Sequence, residues 1–319
     1  DSSPSGVAGN HPVTVNGDAH AGTFSPYRHG GYSVELDAND YLSVADHTDF
    51  DLSSTFTVEG WFYLDAMPSG GADATSAAYL LNRWQANNNN RSFLLGAASD
   101  GSLFLRISTN GSTSTLTSSA TSLITATNWF HISLVYESNV YKVYLNGTER
   151  ISYSSSSVPA NVNAPFQIGY IISGAGSTLD DFTGKISDVR IVDGTAIIPP
   201  SGGPTQRLTA VTNTKLLACS LPYLADKNAS PKTITVSGDP KTVPSSPYDN
   251  VEYDPTVYGG SVYFDGIGDS LEIPQSTNIG AFGTNDFTVQ LWYYTDHNLS
   301  LIHISEPTRR YAISYAVFC

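Results

Sequence analysis

The sequence predicts an all-β protein, and three observations carry that prediction. Residues 128–147 alternate between apolar and polar side chains in two runs, which are separated by Glu137-Ser138-Asn139 and followed by Asn146-Gly147. This pattern is typical of a β-hairpin that leads into a further tight turn. Similar short runs recur between turn pairs such as Asp100-Gly101 and Asn110-Gly111. Only 14% of residues are charged, with 19 Tyr and 27 Gly, as expected for strands and turns packed in an antiparallel two-sheet β-sandwich.

Runs rich in β-branched and aromatic residues predict the strands of the first two thirds of the chain. In the run over 55–64, Phe56 and Val58 share one face, while Trp61 and Tyr63 share the other. Because both faces are apolar, we expect this strand to be central and covered on both sides. The predicted strands are 32–37, 40–44, 55–64, 78–84, 91–97, 102–108, 128–136, 140–146, 165–171 and 183–193.

The chain contains a long internal duplication. Residues 13–18 resemble residues 234–239, Ser33-Val34 recurs as Ser261-Val262, and Asp40 recurs as Asp269 in the same order. Ordered matches at a long spacing indicate one unit seen twice, with the second copy cut short. We therefore divide the chain into the end of a preceding linker module (1–23), a complete copy (24–198), a connecting β module (199–256) and a truncated second copy (257–298).

The C-terminal segment has an unusual sequence. Residues 299–309 resemble the translated end of a transposase-made sequencing library, and residues 313–319 resemble the far end of its adapter. We expect 299–319 to be an artefact and exclude it from functional reasoning, a natural amphipathic tail being the alternative. We expect the strands of the truncated copy to pair incompletely or to borrow partners from this tail. The first residue is Asp1 rather than Met, so we expect a longer reading frame.

Charge and cysteine content exclude several classes of partner. The net charge of −14 argues against nucleic acid, because phosphates repel an acidic chain that has no cluster of Lys or Arg. No apolar run approaches the roughly 20 residues that a membrane span requires, so we expect no membrane insertion. Cys319 falls in the artefactual segment, which leaves Cys219 without a disulfide partner. We expect Cys219 to be a small buried apolar residue, a reactive thiol being the alternative.

The central hairpin carries the strongest motif, Trp129-Phe130-His131 followed by Val143-Tyr144-Leu145-Asn146-Gly147. Five further segments occur in a fixed order around it: 31–37, 40–44, 56–63, 90–96 and 182–191. Together they resemble the laminin-G-like, concanavalin-A-like family of lectins and glucanases. The resemblance implies a jelly roll over residues 24–198, with its second, truncated copy at 257–298. It also implies one calcium ion at a rim of the sandwich, for which Asp180 and Asp181 would supply hard oxygen ligands.

The residues give no support for catalysis. Retaining glucanases of this fold carry Glu-x-Asp-x-(x)-Glu on one strand, because retaining hydrolysis needs two carboxyls about 5–5.5 Å apart. The chain contains no such run: Asp180-Asp181 and the pair Asp49 and Asp51 lack the partner glutamate, and Glu59 stands alone. His131 lies inside the hairpin, where we expect a structural histidine rather than a general base. We therefore predict that the protein is not an enzyme, with a glucanase-like hydrolase as the alternative.

Two stretches have the residue types of a carbohydrate-binding site. Such sites combine an aromatic face with amides and arginine on loops of a rigid sheet. Residues 82–91 hold this mixture, and a loop from Tyr170 to Thr178 is a second candidate. The alternative at both places is structural: a core tryptophan before a solvated Asn-rich turn, and a plain turn. The candidate ligand-binding residues are Arg83, Trp84, Gln85, Asn87, Arg91 and Tyr170.

Three segments suggest a biological setting. Residues 186–196, 208–217 and 234–239 resemble tandem modules of large structural proteins from environmental tailed bacteriophages. This resemblance implies a virion or other extracellular surface, with surface glycans or another extracellular ligand as partner and neighbouring repeats in a longer chain. Weak sites become useful when they are repeated, because avidity multiplies their effect. A spacer repeat without a ligand is the remaining alternative.

Overall fold

The computed structural model describes residues 14–16, 20–22, 31–37, 40–72, 76–172, 178–179, 182–243, 245–248, 261–264, 267–274 and 291. The chain forms two compact units, one made of residues 1–22 and 261–319 and the other of residues 23–260. Within the described ranges the regular elements are strands and two 3-10 turns, which confirms the predicted all-β class. None of these elements is a helix of the length and apolarity needed to cross a bilayer.

The strands are numbered β1 to β21 in chain order, and the 3-10 turns lie at Thr48–Phe50 and Ala86–Asn88. The strand bounds are β1 Thr14–Asn16, β2 His20–Gly22, β3 Ser33–Leu36, β4 Tyr41–Val44, β5 Phe56–Leu64, β6 Ala78–Gln85, β7 Asn90–Ala97, β8 Leu103–Gly111, β9 Thr115–Ser118, β10 Trp129–Glu137, β11 Val140–Leu145, β12 Thr148–Ser154, β13 Phe166–Ile168, β14 Ile171–Ile172, β15 Thr178–Leu179, β16 Gly184–Asp193, β17 Thr214–Ala218, β18 Ile234–Ser237, β19 Lys241–Val243, β20 Ser261–Tyr263 and β21 Ser270–Glu272.

The larger unit is a sandwich of two sheets. Sheet I has the strand order β12-β11-β10-β5-β16-β3-β19, and β17 also pairs with β16. Sheet II has the order β18-β4-β13-β6-β7-β8-β9, with β14 and β15 beside β6. The ladders are antiparallel apart from one parallel bridge between β14 and β6. Apolar residues of both inner faces form one shared core, as in the predicted jelly-roll sandwich.

Strand β5 is central and covered on both sides, as its sequence predicts. It pairs with β10 along one edge and with β16 along the other. Phe56, Val58 and Phe62 point into the shared core. Trp61, on the opposite face, is also buried because Gly203 and Tyr248 pack against its ring.

The central hairpin forms as predicted. Its turn consists of Ser138 and Asn139, which have φ values of 51° and 64°. Two consecutive positive φ values are typical of the type I′ turn, whose twist matches that of the flanking strands. Asn146 and Gly147 make the next turn, with φ values of 47° and 74°. Glycine is required at position 147, because a Cβ atom there would lie 1.8 Å from the carbonyl oxygen of Pro200.

The segment that follows β16 contributes strands to both sheets of the sandwich. Strand β17 pairs with β16 and β19 pairs with β3 in sheet I, while β18 pairs with β4 in sheet II. Residues 199–248 therefore belong structurally to the larger unit. Cys219, just beyond β17, is buried as expected, and burial raises the pKa of its thiol to about 12.

The smaller unit repeats part of this pairing. Strand β1 pairs with β21, and β2 pairs with β20. Val15 lies opposite Leu271 just as Val236 lies opposite Leu42, and the β2 ladder matches the β19 ladder in the same way. The described strands of the second copy thus pair with residues 14–16 and 20–22. The tail, 299–319, lies outside the described residues.

Candidate functional site

Arg83 lies in the interior of the sandwich, although its sequence context suggested a ligand contact. Its side chain is 1% exposed. All five of its N–H groups reach acceptors of the protein: the carbonyl oxygens of Phe50, Val162 and Ala164, and the carboxylates of Asp46 and Asp51. A guanidinium with this set of partners braces distant loops against β6 and presents no donor to a ligand.

Trp84 and Tyr170 are also buried, with 2% and 3% of their surface exposed. Trp84 packs in a small apolar cluster on the outer face of sheet II, and the Arg106 guanidinium lies 5.9 Å from its ring centroid. The ring of Tyr170 packs on that of Tyr41 with 4.0 Å between centroids. Burial raises the pKa of Tyr170 to about 12. Both rings therefore present almost no surface with which a ligand could make contact.

The other three candidates lie together on the surface. Gln85 ends β6, Asn87 belongs to the following 3-10 turn and Arg91 begins β7. Gln85 and Arg91 are half-buried, whereas Asn87 and the next two asparagines are exposed. The side-chain amides of Gln85 and of these asparagines can both donate and accept hydrogen bonds at this end of the sandwich.

Arg91 holds this turn in place. Its Nη2 atom donates to the carbonyl oxygen of Ala86 at 2.8 Å, and Nη1 donates to Asn89 Oδ1 at 3.2 Å. Nη1 also donates to the carbonyl oxygen of Ser112 in the neighbouring turn. Hydrogen bonds from an ionised guanidinium are stronger than neutral ones. One side chain therefore fixes two turns against each other.

The neighbouring turn, residues 110–113, was not among the predicted site residues. Asn110 Oδ1 accepts hydrogen bonds from the backbone N–H groups of Ser112 and Thr113 at 3.0 and 2.9 Å. Gly111 has a φ of 81°, and a Cβ atom on it would lie 2.7 Å from the carbonyl oxygen of Asn89. The Asn110-Gly111 pair predicts a turn from the sequence alone. The β7–β8 ladder, which pairs Arg91 with Gly111, shows that this turn lies beside the asparagine-rich turn.

The second candidate loop adjoins the same turns. Ile172 of β14 pairs with Gln85 of β6. Gln167 joins the same two strands, because it donates to the Trp84 carbonyl oxygen and accepts from the Ile172 N–H group. Residues 173–177 of that loop lie outside the described residues. We call the exposed surface formed by residues 85–91, 110–113 and 172 the rim site. Residues of the two candidate stretches thus meet where β6 ends and β7 begins.

Glu59 is a buried carboxylate in the middle of sheet I. Arg190 donates to Glu59 Oε1 from Nε at 2.9 Å and from Nη2 at 2.6 Å, and His131 Nε2 lies 3.2 Å from Oε2. Burial acts to raise the pKa of Glu59, but the contacts with His131 and Arg190 outweigh it and hold that pKa below its ordinary value. A carboxylate that is paired with the Arg190 guanidinium away from solvent fits a structural role.

The predicted calcium ligands, Asp180 and Asp181, lie outside the described residues. Within the described ranges, Asp37, Asp40 and Asp239 bring carboxylate oxygens within 4.8 Å of one another. Asp40 accepts hydrogen bonds from the backbone N–H groups of Asp37 and Asp239 at 3.2 and 2.8 Å. The charge of Asp40 is the main reason why the pKa of Asp37 is raised. The sequence alone does not reveal this cluster of three carboxylates. Asp239 is far from Asp40 along the chain and reaches it only because β18 pairs with β4.

Comparison with known families identifies the fold of the larger unit. The family profile of laminin-G-like domains, described as the concanavalin A-like lectin/glucanases superfamily, matches residues 36–196, about half of the chain. The chain belongs to this family. The matched residues of this laminin-G-like domain include β4 to β16 and both turns of the rim site. No curated protein sequence matches the chain.

Several solved structures resemble this laminin-G-like protein at low sequence identity and low TM-score. A Bacteroides ovatus protein provisionally assigned as carbohydrate-binding is 15% identical, with 67% of this chain and 62% of that chain covered and a TM-score of 0.46. A heptameric SAP-like pentraxin from Limulus polyphemus is 14% identical, with 65% and 95% covered and a TM-score of 0.40. The carbohydrate-binding module of a Ruminococcus gnavus sialidase, bound to α2,3-sialyllactose, is 11% identical, with 48% and 85% covered and a TM-score of 0.38. These TM-scores do not identify a ligand for this chain.

Proposed function

We propose that this laminin-G-like protein is a non-catalytic glycan-binding module and that the rim site contacts the sugar. The observation that carries the proposal is the exposed amide-rich turn Asn87–Asn89, held in one conformation by Arg91. Planar amides on a fixed turn can pair with adjacent sugar hydroxyls without a large loss of side-chain entropy. The backbone of residues 110–113 extends the same surface.

The setting that we propose is a virion or another extracellular surface, where repeats of the module present weak sites together. The internal duplication supports this proposal, because repeated sites in one chain raise the effective concentration of each binding event. Glycans on a host surface are then the partner. A spacer repeat without a ligand is the competing proposal, and the experiment below separates the two.

The test is a glycan array probed with the full chain and with the variant Asn87→Ala/Asn88→Ala. We expect specific binding that the double variant weakens by about thirtyfold, because the two lost hydrogen bonds together contribute on the order of 2 kcal/mol. Asn139→Gly is the matched control: it removes an exposed amide from a turn of sheet I, and glycine tolerates the positive φ found there.

Three results would contradict the proposal. Absence of binding to any glycan would favour the spacer. Equal losses in the double variant and the Asn139→Gly control would show that the rim site does not carry recognition. Release of reducing ends from β-glucans by the full chain would show that the protein is a hydrolase.

A further inference from the structure

A row of aromatic and charged side chains crosses the outer face of sheet I. Trp129 of β10 lies opposite Tyr63 of β5, and Tyr63 lies opposite Lys185 of β16. Lys185 in turn lies opposite Glu35 of β3. Residues directly opposite each other in a ladder share one face, and the next residue along each strand points into the shared core: Phe130, Phe62, Ile186 and Val34. The row therefore faces outward, over four adjacent strands.

The row lies beside a covered part of the same face. The next positions along β10 and β5 on this face are His131 and Trp61, which are 0% and 6% exposed. Gly203 packs against both of these side chains. Trp129 and Tyr63, by contrast, are only half-buried. The flanking segments 64–67, 125–128 and 182–184 all belong to the part of the chain that the structure describes, and they leave both rings partly open to solvent.

Contacts within the row fix the side chains in place. The ring centroids of Trp129 and Tyr63 are 5.6 Å apart. Lys185 Nζ lies 5.0 Å from the centroid of the Tyr63 ring. The same atom lies 3.1 Å from Glu35 Oε1 and 3.5 Å from Asp65 Oδ1. We call Trp129, Tyr63, Lys185, Glu35 and Asp65 the aromatic shelf.

The turn that precedes Trp129 is fixed as well. The Thr127 N–H group donates to the carbonyl oxygen of Leu64 at 2.7 Å, and Asn128 Nδ2 donates to the carbonyl oxygen of Ala126 at 3.0 Å. The β10–β11 ladder begins only at Ile132, so among the described strands Trp129 has a cross-strand neighbour on one side only. A ring that is held in place before a ligand arrives costs little entropy on binding.

The chemistry of the aromatic shelf fits a sugar. Half-exposed aromatic rings on a rigid sheet favour the apolar C–H face of a pyranose. The side chains of Glu35 and Asp65 are 39% and 42% exposed, and their carboxylates can accept hydrogen bonds from hydroxyl groups. Lys185 adds one positive charge to these two negative ones. The remaining negative charge disfavours an anionic sugar.

We propose that the aromatic shelf is a second sugar-binding surface, which takes a neutral pyranose unit of a glycan. The pyranose stacks on Trp129 beside Tyr63, and its hydroxyl groups donate to Glu35 and Asp65. Binding here does not require the rim site, which lies on the other sheet. One stacked ring and two acceptors make a weak contact, with a dissociation constant in the millimolar range. A glycan that reaches both surfaces gains by avidity.

Nuclear magnetic resonance of the full chain tests the proposal. The probes are laminarihexaose, cellohexaose, xylohexaose and mannohexaose at millimolar concentration, with 3′-sialyllactose as the anionic comparison. The indole N–H signal of Trp129 is assigned by its absence from Trp129→Phe. We expect at least one neutral probe to shift this signal, together with the backbone amide signals of Tyr63 and Lys185. We expect 3′-sialyllactose to leave these signals in place.

Variants separate binding from a structural role of the ring. Trp129→Ala should weaken binding by about tenfold, and Trp129→Phe should keep part of it, because phenylalanine retains an aromatic face. The backbone amide signals of Tyr63 and Lys185 report binding in both variants. The matched control is Tyr153→Ala, which removes another half-buried ring of sheet I, one that packs against the core. The control should leave binding unchanged.

A second variant keeps the test decisive if Trp129→Ala does not fold. Asp65→Ala changes an exposed side chain and should weaken binding severalfold, because it removes one acceptor of the sugar hydroxyls. Binding as tight as that of the wild type in Asp65→Ala and in a folded Trp129→Ala would overturn the proposal. An equal loss in Tyr153→Ala would overturn it too. The same holds if no neutral probe shifts the Trp129 signal or if 3′-sialyllactose binds more tightly.

The same spectra distinguish the aromatic shelf from the rim site. Asn87→Ala/Asn88→Ala should keep the shift of the Trp129 signal. Shifts confined to residues 85–91 and 110–113 would overturn this proposal and leave glycan binding at the rim site standing. Shifts confined to the aromatic shelf would support this proposal and contradict the rim site.

Discussion

Asp188 is a buried carboxylate in an unusual backbone position. It lies at a bulge in β16, where the register against β5 shifts between Ser187 and Arg190, and its φ is 48°. The side chain is fully enclosed, with Arg207 and Tyr248 nearby. Burial raises the pKa of Asp188 to about 6, although the charge of Arg207 acts in the opposite direction. The folded protein therefore binds a proton here more readily than the unfolded chain does.

This pKa shift predicts how stability depends on pH. Because the folded pKa lies above the unfolded value of 3.8, stability falls as pH rises through the window from about 4 to about 6. The shift corresponds to a contribution of about 3 kcal/mol. We expect Asp188→Asn to remove this pH-dependent contribution, because the asparagine side chain does not titrate. The backbone should keep its conformation, since asparagine tolerates a positive φ. Urea unfolding at several pH values measures it, and an unchanged pH slope in the variant would contradict the prediction.

Single residues show where sequence reasoning reaches its limit. The mixture of Arg83 and Trp84 with asparagines predicted a binding surface, yet the structure buries both large side chains. The acceptors that enclose Arg83 come from loops near Phe50 and Val162, and no local pattern shows that these loops meet β6. The exposure of Asn87 could be predicted from the sequence, because a turn rich in asparagine is polar and lies at the surface.

At the scale of elements, local turns were predictable and long-range pairings were not. The β10–β11 hairpin is specified by two short alternating runs and a two-residue turn, so all the information lies within one stretch. Strands β18 and β19 complete the two sheets by pairing with β4 and β3, far earlier in the chain. The sequence shows that residues 234–239 resemble residues 13–18, but it does not show which strand they pair with.

Calcium binding is a prediction that rests on the family resemblance. The resemblance implied Asp180 and Asp181 as ligands, and Asp37, just after β3, offers a matched control. We expect calcium at about 100 times its dissociation constant to stabilise the fold by about 2.7 kcal/mol. This should raise the melting temperature by several degrees, with chelator reversing the rise and Asp181→Asn abolishing it.

The Asp37→Asn control should keep the calcium effect. A melting temperature that does not respond to calcium would contradict the prediction. Loss of the response in Asp37→Asn but not in Asp181→Asn would move the ion to Asp37, Asp40 and Asp239, whose carboxylate oxygens lie within 4.8 Å of one another.

At the scale of the whole molecule, the protein combines a laminin-G-like sandwich with a duplication that repeats its strand pairing. The family match covers residues 36–196, while the duplicated ladders extend the pattern to both ends of the described chain. The net charge of −14 disfavours anionic polymers with phosphate backbones as partners. A glycan-binding repeat is consistent with each of these properties.

Hydrogen exchange of the full chain, with and without the best glycan from the array, tests the glycan-binding claim most directly. We expect slower exchange of backbone amides in residues 85–91 and 110–113, because a bound sugar would shield the turns that Arg91 holds together. Residues 138–139, in a turn of sheet I, should exchange at an unchanged rate. Protection that falls on sheet I, with none at residues 85–91 or 110–113, would contradict the account.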